Sequence, residues 1–253
     1  IWLLEISQVY KVFYNLLAGF CMGLAEITPG ISGATIAGIF NVYKGFLASL
    51  SSFNPQLLKK GFRQFIANLN LSFMAPLLIG MSVAIVLAAN VINYLIVGFL
   101  YELKVFLSLL MVFAVVKNLF FDHEFKKIKN FFLSFLTGVL VASFVAFTLV
   151  TLDFSNSFLL IVAGFLGFSA FILPGISGSL VFLMLGAYQL IISAIVAIDV
   201  LALLPVLLGM LFSFLLLPKA IVERFEENSE RTIMFFSGLI FGSIPAVWLH
   251  LHA

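Results

Sequence analysis

One short sequence, Pro-Gly-Ile-Ser-Gly, occurs twice in this chain, and each copy interrupts a long apolar stretch. The first copy lies in EITPGISGAT at 26–35 and the second in FILPGISGSL at 171–180. Because proline lacks a backbone donor and glycine has a low helix propensity, both copies predict a break in a helix. Inside a bilayer, the backbone groups released by such a break must be satisfied by the protein or by a polar cavity.

The apolar stretches around the two motifs predict a polytopic, all-α integral membrane protein. Hydrophobic residues make up 63% of the chain and charged residues 9%, with a mean hydropathy of +1.23. Soluble domains carry roughly 25% charge, and segment 131–152 is long enough to cross a bilayer as a helix. No basic face is available for a nucleic-acid partner. The expected location is the cytoplasmic membrane, with the bilayer as the surrounding partner.

Polar residues divide the chain into nine apolar segments within one transmembrane domain, residues 1–253. The clearest polar breaks are 54–68, 122–130 and 218–231. The predicted apolar segments are 12–28, 34–53, 71–92, 105–121, 131–152, 158–173, 180–198, 202–217 and 232–250.

Two alignments of the chain with itself predict an internal repeat. A shift of 145 positions aligns 18–33 with 163–178, and a shift of 129 pairs Pro76, Gly80 and Met81 with Pro205, Gly209 and Met210. The predicted repeats span about 12–121 and 158–250, joined by a connecting helix at about 131–152.

The charge distribution predicts that the two repeats have opposite orientations in the membrane. Lysine and arginine cluster in the three polar breaks, whereas 153–157 and 189–204 contain neither. Cytoplasmic loops are enriched in these residues. The pair of segments that contains the first motif, 12–53, is therefore expected to start and end on the cytoplasmic side, and the pair that contains the second motif, 158–198, on the outer side. We call each of these a motif-bearing pair. Because both ends of a pair lie on the same side, the charge pattern leaves open whether the pair crosses the membrane twice or enters it and returns to the same side. The break itself favours a re-entrant hairpin, with the two hairpins meeting near the midplane.

Such a meeting point predicts a binding site for an anion such as a phosphate or a carboxylate. Helix N-termini restart after each motif and carry free N–H groups and a positive dipole end. The alternative for a single motif is a simple kink that allows close helix packing, but two copies at matching positions favour a site. The candidate substrate-binding residues are Pro29, Gly30, Ser32, Gly33 and Thr35 in the first copy and Pro174, Gly175, Ser177, Gly178 and Ser179 in the second.

Two charged residues near the first motif are further candidates. Glu26 precedes the motif, and its counterpart in the second repeat is Phe171. An intramembrane carboxylate indicates a functional role, so proton coupling or gating is favoured over a structural hydrogen bond. Because a bare carboxylate repels phosphate, Glu26 is expected to be protonated or paired when an anion is bound. Lys44 is a candidate head-group cation, although snorkelling to the basic interface is the preferred interpretation.

The sequences GLAEITPGISGATIAGIFNVY and SAFILPGISGSLVFLMLGAY resemble the bacterial and archaeal polyprenyl-phosphate (undecaprenyl-phosphate) transporter family over nearly the whole chain. Glu26, Ala34 and Asn41 replace the Asp, Gly and Gly that are usual in the family at these positions. The resemblance implies a flippase that returns a carrier lipid to the cytoplasmic leaflet after cell-envelope synthesis. The phosphate head would cross through a small polar pocket while the prenyl tail stays in lipid.

Two other function classes remain as alternatives. A membrane-embedded phosphatase would need a nucleophile or a metal with a general acid, and such residues are nearly absent from the apolar segments. A small-anion transporter could use the same paired hairpins. We expect no enzyme activity, no metal and no cofactor, with coupling to H⁺ or Na⁺. The sequence sets no oligomeric state.

Overall fold

The computed structural model describes residues 2–28, 30–53, 62–121, 129–148 and 156–251. Every regular element in this part of the chain is helical, as predicted. The α-helices are α1 (Trp2–Ile27), α2 (Gly33–Ile39), α3 (Tyr43–Ser51), α4 (Phe62–Asn68), α5 (Leu71–Gly98), α6 (Leu100–Val116), α7 (Phe132–Phe147), α8 (Ser157–Ile172), α9 (Gly178–Leu185), α10 (Tyr188–Val196), α11 (Val200–Gly242) and α12 (Ile244–His250).

Three helical stretches are long and apolar enough to cross a bilayer, namely Leu71–Ala88, Leu100–Phe121 and Val200–His250. The pair α9 and α10 meets the same criteria only when taken together, and its two helices meet at a bend of 111°. Large apolar side chains such as Val86 on α5 and Phe144 on α7 are more than 70% exposed. A chain of this kind is stable only when lipid covers that surface, which agrees with the predicted membrane protein.

The predicted breaks at the two motifs are confirmed, and each is followed by a second break that the sequence interpretation missed. Segments 34–53 and 180–198 were expected to be continuous, but each forms two short helices. The second breaks contain Asn41 and Gly186, whose φ angles are 55° and 79°. These left-handed conformations end α2 and α9 because a helix cannot continue through them.

The predicted polar loop at 218–231 is wrong, because α11 continues through most of it. Glutamate, lysine, arginine and alanine in this stretch favour a helix. An ion pair between residues four positions apart also supports the helix, with Lys219 Nζ 4.0 Å from Glu223 Oε1. The chain bends sharply only at Asn228, where φ is −158° and ψ is 86°. The predicted segment 232–250 is also interrupted, at Ser243, where α12 follows α11.

The sharpness of the bend is visible in the hydrogen bonds of Thr232. Its hydroxyl donates to the carbonyl oxygens of both Arg224 and Asn228, at 3.0 Å each. Residues eight positions apart in a straight helix are separated by about 12 Å along the axis. Helix α11 is therefore two arms with a change of direction at Asn228.

Close helix packing occurs at equivalent places in the two predicted repeats. A side chain added at Gly19 would overlap the carbonyl oxygen of Leu77, and one added at Gly164 would overlap that of Val206. In the same way, Gly80 lies against Leu16 and Gly209 against Ile161. The partners in each case are related by the two shifts found in the sequence. Helices α1 and α5 therefore pack as α8 and the first arm of α11 do, through glycine.

Candidate functional site

The chain around the first Pro-Gly-Ile-Ser-Gly motif is hydrogen-bonded to the chain around the second. The Ser32 hydroxyl donates to the carbonyl oxygen of Leu173 at 3.4 Å. The backbone N–H of Gly175 donates to Thr35 Oγ1 at 2.9 Å. The Tyr43 hydroxyl donates to the carbonyl oxygen of Ile172 at 3.0 Å. These three hydrogen bonds form a junction between residues far apart in the sequence, in which side-chain hydroxyls near the first motif satisfy backbone groups released by the break at the second.

A glycine in each motif has a backbone conformation that other residues rarely adopt. The φ angles of Gly30 and Gly175 are 92° and 93°. Both glycines also face a neighbouring helix closely: an added Cβ would lie 3.1 Å from Val247 Cα at Gly30 and 2.6 Å from the Ile240 backbone nitrogen at Gly175. Glycine is therefore required here for both its conformation and its size. Pro29, also predicted in the site, lies outside the described residues.

The side chain of Glu26, which belongs to α1, caps the amino end of α2, the helix that follows the first motif. Its Oε1 accepts a hydrogen bond from the Gly33 backbone N–H at 2.6 Å, and Ser32 Oγ accepts one from the Ala34 N–H at 3.2 Å. The chain's own carboxylate and hydroxyl thus satisfy donors that the sequence had assigned to a bound anion. In this conformation the amino end of α2 is already occupied.

The second motif has no counterpart to this carboxylate. Phe171 occupies the position equivalent to Glu26. The hydroxyls of Ser177 and Ser179 lie 2.9 Å apart and share a hydrogen bond, and Ser177 is only 2% exposed. Gly178 begins α9. At the second motif, the predicted site residues Ser177 and Ser179 therefore hydrogen-bond to each other, whereas at the first motif Glu26 and Ser32 cap the following helix.

A polar cavity of about 330 Å³ lies beside the motif junction. Among the described residues that line it, Lys44 is basic and none is acidic. We call it the Lys44 cavity. Of the predicted site residues, it contains Thr35, Lys44 and Pro174, and the remaining lining residues are Gly38, Asn41, Tyr43, Asn118, Phe225, Ile233, Phe236 and Ile240.

Lys44 reaches across this cavity to the second half of the chain. Its Nζ donates to Ser229 Oγ at 3.1 Å and lies 5.1 Å from the centroid of the Phe225 ring. The two partners flank the bend of α11 at Asn228. The ammonium therefore places a positive charge in the cavity where the first broken pair meets α11, which suits an anionic ligand.

A π-helical turn supplies the other polar side of the cavity. Helix α6 widens into this turn at Lys117–Phe121, a feature often found at functional sites. The turn lets two successive residues make contacts: Lys117 Nζ donates to Asn41 Oδ1 at 2.9 Å, and Asn118 Nδ2 lies 3.5 Å from Ser237 Oγ. Asn118 was not predicted as a site residue. Its only signal in the sequence is an amide inside the apolar segment 105–121.

The junction gives a first prediction, at Thr35. Its side chain is fully buried and accepts the Gly175 N–H. We expect Thr35→Val, which has nearly the same shape, to leave that N–H unpaired at a cost of about 1–3 kcal/mol. Thermal unfolding in detergent should show a lower midpoint than in wild type. Thr35→Ser retains the acceptor and is the matched control, so equal losses in both variants would contradict the assigned hydrogen bond.

An apolar helical chain in which two interrupted helix pairs meet beside a charged cavity has the architecture of a membrane transporter. The particular family is shown by its sequence. The family model described as undecaprenyl phosphate translocase-like matches residues 22–253, so this chain belongs to that family.

Two relatives named polyprenyl-phosphate transporter are similar over most of their length. The Staphylococcus aureus protein is 31% identical over 265 residues, covering 95% of this chain and 87% of its own. The Vibrio cholerae protein is 28% identical over 240 residues, covering 92% of this chain and 76% of its own. No solved structure matches this chain.

Proposed function

We propose that this protein transports polyprenyl phosphate and moves it between the leaflets of the cytoplasmic membrane, returning the carrier lipid for cell-envelope synthesis. The observation that carries the proposal is the Lys44 cavity beside the motif junction. Its volume of about 330 Å³ lies at the lower end of the range for small-ligand sites. That volume suits a phosphate head group, while the prenyl tail remains in lipid. The names of the two relatives support the same substrate.

The polar groups of the cavity match a phosphate in charge and in hydrogen bonding. Lys44 supplies an ammonium and Asn118 an amide N–H₂, and none of the described lining residues is acidic. Charge-assisted hydrogen bonds to phosphate are the strongest of these contacts. In this proposal the phosphate displaces Ser229 from Lys44 and approaches Thr35 and Pro174 at the edge of the junction.

Transport also requires that the site open to each leaflet in turn. We propose two inverted repeats, about 12–121 and 158–250, with re-entrant motif-bearing pairs. The repeats are joined by the helix predicted at 131–152, which the structure describes as α7 (Phe132–Phe147). The equivalent glycine contacts of Gly19 with Leu77 and Gly164 with Val206 support the repeat. Rocking of one repeat against the other around the junction would give alternating access, with coupling to H⁺ or Na⁺ through Glu26.

The test is transport of labelled undecaprenyl phosphate in vesicles reconstituted with the protein, under a proton or a sodium gradient. We expect Lys44→Gln to reduce the initial rate by at least about tenfold, since a charged hydrogen bond contributes about 1.5–3 kcal/mol. Lys104→Gln is a closely matched control. Lys104 also donates one hydrogen bond, to Trp248 O at 3.3 Å, and lies 5.8 Å from the centroid of the Trp248 ring.

The possible results test the proposed function and the proposed head-group site separately. Wild-type protein that moves no labelled lipid under either gradient would overturn the proposed function. Release of inorganic phosphate would indicate a phosphatase, and movement of free phosphate without lipid a small-anion carrier. Equal rates for Lys44→Gln and Lys104→Gln, with lipid transport intact, would exclude the Lys44 cavity as the head-group site.

A further inference from the structure

A second and larger cavity, of about 600 Å³, lies between α7 and the bend of α11. Its polar mouth is formed by Ser134 and Thr137 on α7 and by Arg224, Asn228, Arg231 and Thr232 on α11. We call it the arginine cleft. It is separate from the Lys44 cavity, although Phe236 lines both.

The bend of α11 brings two guanidinium groups to this one mouth. Arg224 and Arg231 belong to the two arms that meet at Asn228, and Asn228 Oδ1 accepts the Arg231 backbone N–H at 2.9 Å. The only acidic residue among the described residues of the lining is Glu227, whose Oε2 lies 2.6 Å from Arg224 Nη1. The described lining of the cleft therefore carries two basic residues and one acidic residue.

The deeper part of the cleft is apolar and reaches the motif junction. Leu217 and Ile221 form its wall along α11, and Leu173 lies at its inner end. The carbonyl of Leu173 accepts the Ser32 hydroxyl in the junction. A ligand that fills this cleft therefore needs an anionic group at one end and an apolar chain behind it.

The surfaces beside the cleft carry exposed apolar side chains of the kind that lipid covers. Leu133 on α7 is 71% exposed and Leu216 on α11 is 62% exposed. A ligand with an apolar chain can therefore enter sideways from the membrane, whereas a free anion would leave the apolar wall without a partner. Arginine pairs at such positions near membrane interfaces bind the phosphate of lipid head groups.

We propose that the arginine cleft is a second binding site, which holds the phosphate head group of a lipid between Arg224 and Arg231 with the start of its chain along Leu217 and Ile221. This site goes beyond the proposed head-group site of transport, and its occupancy does not depend on movement of lipid across the membrane. The lipid phosphate has two sources, the polyprenyl phosphate itself and the phospholipids of the surrounding bilayer.

The experiment is native mass spectrometry of the purified full chain, titrated separately with undecaprenyl phosphate, phosphatidylglycerol and inorganic phosphate. We expect two bound undecaprenyl phosphates at saturation in wild type. Arg231→Gln should weaken one of these binding events about fivefold to tenfold, because a basic residue near the membrane surface contributes about 1 kcal/mol or more to binding an anionic lipid. Lys44→Gln should weaken the other.

The control is Lys219→Gln, which removes a positive charge from the arm of α11 that carries Arg224. Lys219 lines neither cavity and lies 4.0 Å from Glu223. Lipid affinities should stay within about twofold of wild type in this variant, since a solvated charge of this kind contributes little. Arg231→Lys retains the charge and should keep most of the binding, which separates a binding loss from a folding defect.

Several results distinguish the lipid sources or overturn the proposal. An Arg231→Gln effect on undecaprenyl phosphate alone assigns the cleft to the transported lipid, and an equal effect on phosphatidylglycerol assigns it to phosphate lipids in general. Inorganic phosphate that binds as tightly as either lipid would overturn the lipid assignment. A single bound lipid at saturation, or equal effects of Arg231→Gln and Lys219→Gln, would exclude the second site.

Discussion

Gly209→Leu is expected to abolish the folded protein. Helices α8 and α11 approach so closely at Gly209 that an added Cβ would overlap the carbonyl oxygen of Ile161 and lie 2.7 Å from the Phe165 backbone nitrogen. Backbone atoms cannot move aside as a flexible side chain can, so the two helices must separate. We expect a cost above about 3 kcal/mol, at the upper end of values for overpacked interiors. The measurement is the fraction of monodisperse protein after extraction in detergent, followed by thermal unfolding.

Gly98→Leu supplies the control for this experiment. Gly98 is the last residue of α5, and an added Cβ would have no neighbour within 4 Å. The same side chain at this site should leave extraction and unfolding close to wild type. Gly80→Leu, at the equivalent contact with Leu16, should behave like Gly209→Leu. A stable, monodisperse Gly209→Leu protein would disprove the close approach of α8 and α11.

Glu26→Gln is expected to uncouple transport from a proton gradient while keeping the fold. The glutamine side-chain oxygen can still accept the Gly33 N–H that Glu26 Oε1 now accepts at 2.6 Å, but the amide cannot take up or release a proton. Coupling free energies of about 1–3 kcal/mol correspond to effects of roughly fivefold or more. Gradient-driven flux of labelled undecaprenyl phosphate should therefore fall by at least that factor, toward the rate without a gradient.

The variant Glu26→Ala isolates the structural part of this role. It leaves the Gly33 N–H without its partner, at a cost of about 1–3 kcal/mol if no other group replaces it. A lower unfolding midpoint for Glu26→Ala, with a normal midpoint for Glu26→Gln, would separate helix capping from proton exchange. Glu26→Gln that transports at the wild-type rate at every pH and gradient would rule out the coupling role.

The broad features of the fold were accessible from the sequence because they follow from backbone chemistry and hydropathy. Pro174 and Gly175 cannot continue a helix in the required geometry, and α8 ends just before them at Ile172. The glycine pairs at 19/164 and 80/209 were recognisable as repeated positions, although the sequence did not indicate which carbonyl each would face. The family was accessible for the same reason, since its motifs are those that interrupt the helices.

The cavities were not predictable in the same way, because they depend on where the chain bends. Asn118 lines the Lys44 cavity only because α6 ends in a π-helical turn. No residue pattern in this segment predicts such a turn. Arg224 and Arg231 share a cleft only because α11 bends at Asn228. In a polar loop, as predicted for 218–231, their charges would have been expected to be simply solvated. Local charge composition did not reveal a conformation set by one residue.

The left-handed corner at Asn41 has a consequence for how the two predicted repeats can differ. Asn41 and Gly186 occupy matching corners, with φ angles of 55° and 79°, and asparagine is among the few residues besides glycine that tolerate this conformation. The two corners therefore share a left-handed backbone, while only the corner at Asn41 carries a side chain, which accepts a hydrogen bond from Lys117. At such a corner, asparagine in place of glycine adds a polar side chain to the cavity without a change in the backbone of the turn. Divergence of the two halves need not begin in their motifs.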